Sequence, residues 1–138
     1  MDGDGRLRAV ESLRAMPFLS GAGDEIVDQL ADHAIVMTLE PGQHLVREGD
    51  LAAEVYLLVR GRLSVRRDGF EAVREAGSVL GEMALFDGAV RNATVTSIEV
   101  CDVVVLDPPA FEVLQSVPAA AALVITELNR RRAETPGL

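Results

Sequence analysis

GEMALFDGAVRNATV, residues 81–95, is the stretch on which the reading of this chain turns. A Gly-Glu opening, a short helix-forming run, a turn, and then an arginine ahead of small residues and a β-branched strand start together make a compact anion pocket. The first backbone N–H groups of a short helix converge on one spot, and the helix dipole favours negative charge there. Arg91 adds a planar, permanently charged fork suited to phosphate. Glu82 repels an anion, so its expected role is to accept hydrogen bonds from a sugar hydroxyl. Phosphate and sugar together make a nucleotide.

Outward from that stretch the chain is rich in short strands. Between Ala34 and Asp107 it breaks into β-rich runs separated by Pro-Gly, Glu-Gly-Asp, Arg-Gly and Asp-Gly signals. The expected strands are Ile35 to Leu39, His44 to Arg47, Val55 to Arg60, Arg62 to Arg67, Phe70 to Ala76, Ala93 to Ser97 and Val100 to Leu106. Asp68-Gly69 marks a tight hairpin. Gly49 and Gly61 read as turn positions, Glu48 and Asp50 as hairpin surface charges. Strands this short and this closely spaced point to a jelly roll or barrel. Ahead of them, Leu7, Val10, Leu13 and Met16 recur at helical spacing up to Pro17, and a second helix is expected from Asp24, as N-cap, to about His33. After them, Pro108 and Pro109 open a third helix, and Pro118 separates it from a fourth over Ala119 to Ala133. The expected class is α+β: an antiparallel β jelly-roll barrel flanked by N-terminal helices and a C-terminal helix pair.

The bulk properties narrow the function. One domain over residues 1–138 is expected, with helices over about 7–33, a β-roll over 34–107 and terminal helices over 108–133. A formal charge of −9 opposes nucleic acid as a partner, because phosphate neutralisation needs clustered Lys and Arg. The start is acidic, and the apolar run Pro118 to Ile125 is too short to span a bilayer. A cytoplasmic protein without membrane insertion is expected. Cys101 is the single cysteine, in an apolar run, and reads as a buried, inert thiol. His33 and His44 are too far apart in sequence to suggest a metal site, which counts against a cupin-like metalloenzyme.

Residues 81–95 resemble the phosphate-binding cassette of the cyclic nucleotide-binding domain family, which reads G-E-L/M-A-L, a few turn residues, P-R, a small residue, A, T/S, V. The resemblance extends to LEPGQHLVREGD at Leu39 to Asp50 and to VYLLVRGRLSV at Val55 to Val65. It implies a ligand, cAMP or cGMP, and no cofactor. The ligand would be held by Gly81, Glu82, Met83, Ala84, Arg91, Asn92 and Ala93. It also implies a terminal helix that closes as a lid, with Arg130 of TELNRRRA against the base. Two departures stand out. Val90 replaces the family's proline, and Asn92 stands where alanine goes with cAMP and a hydroxyl with cGMP, so the choice of base stays open. The expected function is a non-catalytic sensor that moves its C-terminal helix and passes the motion to a protein partner. The alternative is a degenerate module that keeps the fold as an interaction domain without nucleotide. With no Ser-His-Asp set, P-loop or spaced carboxylate pair, no enzymatic activity is expected.

Overall fold

The computed structural model describes residues 3–51, 53–81 and 91–134. Two helices lead the chain, α1 (Gly3–Arg14) and α2 (Asp24–Ala31), joined through a 3₁₀ turn at Pro17–Leu19. Among the described residues eight strands follow: β1 (Ala34–Leu39), β2 (His44–Val46), β3 (Val55–Arg60), β4 (Arg62–Arg67), β5 (Phe70–Glu75), β6 (Val79–Leu80), β7 (Thr94–Ser97) and β8 (Cys101–Leu106). Helices α3 (Pro108–Gln115) and α4 (Pro118–Glu134) end the described chain. The strands form two four-stranded antiparallel sheets, ordered β1-β8-β3-β6 and β2-β7-β4-β5, and this is the expected roll.

Strand alternation makes two cores out of one roll. One face of the first sheet, with Val55, Leu57, Val104 and Leu106, packs under the helices against Leu13, Leu30, Phe111 and Leu114. The opposite face, with Tyr56, Leu58 and Val103, meets Leu63 and Val95 of the second sheet inside the roll. Asp102 ties the layers together at the surface. It pairs with Arg60, accepts from Thr38 at 2.8 Å, and lies 3.6 Å from Arg8 of α1. Burial pushes its carboxyl up, but the hydrogen bonds from Arg60 and Thr38 and the charges of Arg60 and Arg8 outweigh that and hold it below the ordinary range.

Local signals explain most element ends. The Asp68-Gly69 turn has positive φ at both residues, the hairpin geometry its sequence implies. The Asp107 side chain accepts from Ala110 N at 2.9 Å, capping α3 ahead of its prolines. Three expectations need correction. Gly23, not Asp24, is the N-cap of α2; its carbonyl takes the Val27 N–H, while Asp24 and Glu25 sit in the first turn, where the dipole favours them. On α1 the buried residues are Ala9 and Leu13, followed by Met16, whereas Leu7 is exposed. Strand β6 was not expected, since two residues are too few to show an alternation. In α4, Val124 is buried and Ile125 faces out.

Candidate functional site

Arg91 lies just before β7, where the chain re-enters the second sheet, and it is fixed through its backbone. Its N–H donates to the Asp50 carbonyl and its carbonyl accepts from Gly49 N, both at 2.8 Å. Glu48 N donates to Thr94 Oγ1 at 3.0 Å. The loop between β2 and β3 therefore holds residues 91–94 in place. Glu48 and Asp50 have exposed side chains, as their sequence suggests, but the anchoring is done by their backbone groups.

The Arg91 side chain turns inward and is only 4% exposed. Nη1 donates to the Gly81 carbonyl at 3.2 Å, and Nη2 to the Glu54 carbonyl at 2.6 Å and to Tyr56 Oη at 3.3 Å. The guanidinium carbon stands 5.2 Å from the centre of the Tyr56 ring, a cation–π distance. Among the described residues no carboxylate pairs with it, and the buried Nε has no hydrogen-bond acceptor. Burial of a charge is tolerated only with compensation, and carbonyl oxygens and a phenol are partial compensation for a full positive charge. Among the described residues the arrangement presents a fixed fork whose charge is incompletely neutralised.

Gly81 is matched to this cradle. Its φ is +89°, and a Cβ there would stand 2.9 Å from Arg91 Nη1 and 2.9 Å from the Glu54 carbonyl oxygen. Only a glycine lets the backbone pass so close to the guanidinium. Burial raises the Tyr56 phenol above its ordinary pKa, the Arg91 charge and hydrogen bond pull the other way, and burial wins. Tyr56 and Glu54 were missed in the sequence. A hydroxyl inside an apolar strand was the available signal for Tyr56, since a buried phenol needs a partner. The Glu54 contact is a main-chain carbonyl and leaves no trace in residue type.

Of the expected site residues, Gly81 and Arg91 meet directly, and Asn92 and Ala93 follow half-buried on the way into β7. Glu82, Met83 and Ala84 lie outside the described residues. Arg130 falls within α4, with its side chain outside what is described. His33 Nδ1 is 3.3 Å from Asp107 Oδ2 and His44 Nδ1 is 2.7 Å from Thr96 Oγ1. No group of three or more His, Cys, Asp or Glu among the described residues is placed to hold a metal ion. Cys101 is buried, its thiol raised by that burial and directed at the carbonyls of Arg62 and Glu99. No single helix among the described residues is long and apolar enough to cross a membrane. Pro108–Gln115 and Pro118–Thr126 reach that length and composition only as a pair bent by 108°.

Comparison with known proteins shows the family to which the fold belongs. The family described as the cyclic nucleotide-binding domain matches residues 36–116. The acetyltransferase Pat of Mycolicibacterium smegmatis is 35% identical over 111 residues, 77% of this chain and 33% of Pat. A cAMP-dependent protein kinase regulatory subunit of Eremothecium gossypii is 32% identical over 109 residues, 78% of this chain and 24% of that protein. The solved structure of a cAMP-binding acyltransferase from Mycobacterium smegmatis superposes with a TM-score of 0.77 at 29% identity, covering 96% of this chain and 43% of that one. The chain thus spans about a quarter to a third of these curated relatives. The expectation of no enzymatic activity is corrected by the first of them. A segment like this one forms part of an acetyltransferase, two-thirds of which lies beyond the match, so the lack of catalytic constellations in these 138 residues does not decide the matter.

Proposed function

The chain belongs to the cyclic nucleotide-binding domain family, and from that premise we propose that it is a sensor that binds a cyclic purine nucleotide, cAMP or cGMP, with the cyclic phosphate on Arg91. The observation that carries this reading is the buried Arg91 guanidinium, which lacks a carboxylate partner among the described residues and has an unsatisfied Nε. A bound phosphate supplies the missing negative charge in a setting where each charge-assisted bond is strong. Residues 81–95 act as one phosphate-binding cassette, with Glu82 on the ribose and Gly81, Met83, Ala84, Asn92 and Ala93 close around the sugar and phosphate. The location that goes with this reading is the cytoplasm.

The chain carries its own reporter. Tyr56 is its single tyrosine and there is no tryptophan, so intrinsic fluorescence comes from a ring in contact with Arg91. Titration of cAMP or cGMP is expected to give saturable heat at one site per chain together with a saturable change in tyrosine emission, while the free nucleosides give neither. Absence of saturable binding for both nucleotides up to about millimolar concentration, where binding free energy falls to about −4 kcal/mol, overturns the reading.

Coupling to motion follows a short path. Strand β6 ends at Leu80, beside Gly81, whose carbonyl is held by Arg91; on its other side β6 touches α4. A ligand that re-aims Arg91 shifts Gly81 and β6, and with them the seat of Ala120 and Val124 of α4. Helix α4 then closes as a lid, with Arg130 against the base, and the motion is read by a protein partner. Hydrogen exchange over residues 118–126 is expected to slow on saturation with nucleotide. Indifferent exchange in a protein that does bind would make α4 a fixed support.

A further inference from the structure

Resting on the nucleotide reading, the inner face of β4 points to which base the site takes. Leu63 is fully buried and Val65 packs into the core between the sheets, which fixes their face of β4 as the inner one. Arg67 follows at the same period and falls on that face. Exposure agrees: the Arg67 side chain is 22% exposed, whereas Arg66 beside it is 71% exposed. The register places Val65 between Val95 and Ala72, and Arg67 opposite Phe70. Because Arg66 pairs with Thr94, Arg67 stands level with Ala93, two residues from Arg91. That is about 7 Å along the strand and one interstrand spacing of about 4.8 Å away. A nucleotide with its phosphate on Arg91 can lay its flat base over the small, partly open Val65–Ala72 ledge with its edge toward Arg67.

Arg67 is available for that edge. The one carboxylate within 4 Å of it among the described residues is Asp68, 3.8 Å from Nε on an exposed turn. A guanidinium only donates hydrogen bonds. Guanine presents two acceptors side by side, O6 and N7, which a fork can take together, whereas adenine places an N6 amino donor beside N7 and opposes one arm of the fork. We propose that Arg67 reads the base and that the site prefers a 6-oxopurine, as in cGMP, over adenine.

Calorimetry of the chain with cGMP, cIMP and cAMP tests this, because cIMP shares O6 and N7 with cGMP but lacks its amino group. The unaltered chain is expected to bind cGMP and cIMP alike, and about ten- to a hundredfold more tightly than cAMP. Arg67→Ala is expected to bring the three affinities together by weakening the first two and leaving cAMP unchanged. Arg67 is partly exposed, and an unaltered melting temperature would establish that the variant is folded. A preference for cAMP in the unaltered chain, or a ratio indifferent to Arg67→Ala, overturns this inference and leaves the nucleotide reading standing. Failure of all three nucleotides to bind overturns both.

Discussion

Arg91→Ala is expected to lower affinity for cyclic nucleotide by tens to thousands of fold, measured by calorimetry. Loss of one partner in a desolvated charge pair costs about 2 to 5 kcal/mol, and Arg91 meets the condition, being almost fully buried with no carboxylate to share its charge among the described residues. The ligand-free protein should respond in a different way. The substitution removes the bonds to Gly81, Glu54 and Tyr56, but it also removes a buried, half-compensated charge. These oppose one another, and the ligand-free stability is expected to change by no more than about 1 kcal/mol. Arg91→Lys keeps the charge without the planar fork and should fall between the two. Affinity unchanged in Arg91→Ala would remove this residue from the site.

Gly61→Ala is expected to be strongly destabilising. Gly61 turns the chain between β3 and β4 at φ +94°, and an added Cβ would meet the Val100 carbonyl oxygen and stand 2.6 Å from Cys101 Sγ and 2.9 Å from Cys101 Cα. Two of those atoms are backbone and have nowhere to go in β8's approach. Steric overlap on top of the disfavoured φ should cost about 3 kcal/mol or more, a fall in melting temperature on the order of 10 °C. Gly77 makes the comparison: its φ is +97°, but nothing lies within 4 Å of a Cβ there. Gly77→Ala should therefore show the conformational strain alone, about 1 to 2 kcal/mol. Equal losses at the two positions would mean that the contact with Cys101 is relieved at no cost.

The roll was legible because its strands are long enough to alternate and are cut by Gly-containing turns, and the family was legible because residues 81–95 follow a restricted pattern of residue types at fixed spacing. What escaped is what residue type does not encode. Two of the groups that hold Arg91 are main-chain carbonyls, those of Gly81 and Glu54, which every residue possesses. Arg67 looks like any hairpin charge until the register sets it level with Ala93. Gly23 displaced Asp24 as the α2 cap because both residues could serve and backbone geometry chose between them. The question of enzymatic activity escaped for another reason: in Pat the matched segment is a third of an acetyltransferase, and residues that bind need not record whether catalytic ones lie beyond them.

The pairing of β1 with β8 has a consequence in time. Leu39 meets Cys101 and Ala34 meets Leu106, so the first strand formed has no partner until the last has been made. At about 5 to 20 residues per second, the ribosome takes roughly 3 to 15 s to cover that interval. Throughout it, β1 offers the nascent chain's surroundings an unpaired edge bearing Ile35 and Met37, and the same edge pairing that closes the roll in the finished protein is, during synthesis, an invitation to pair with a neighbour.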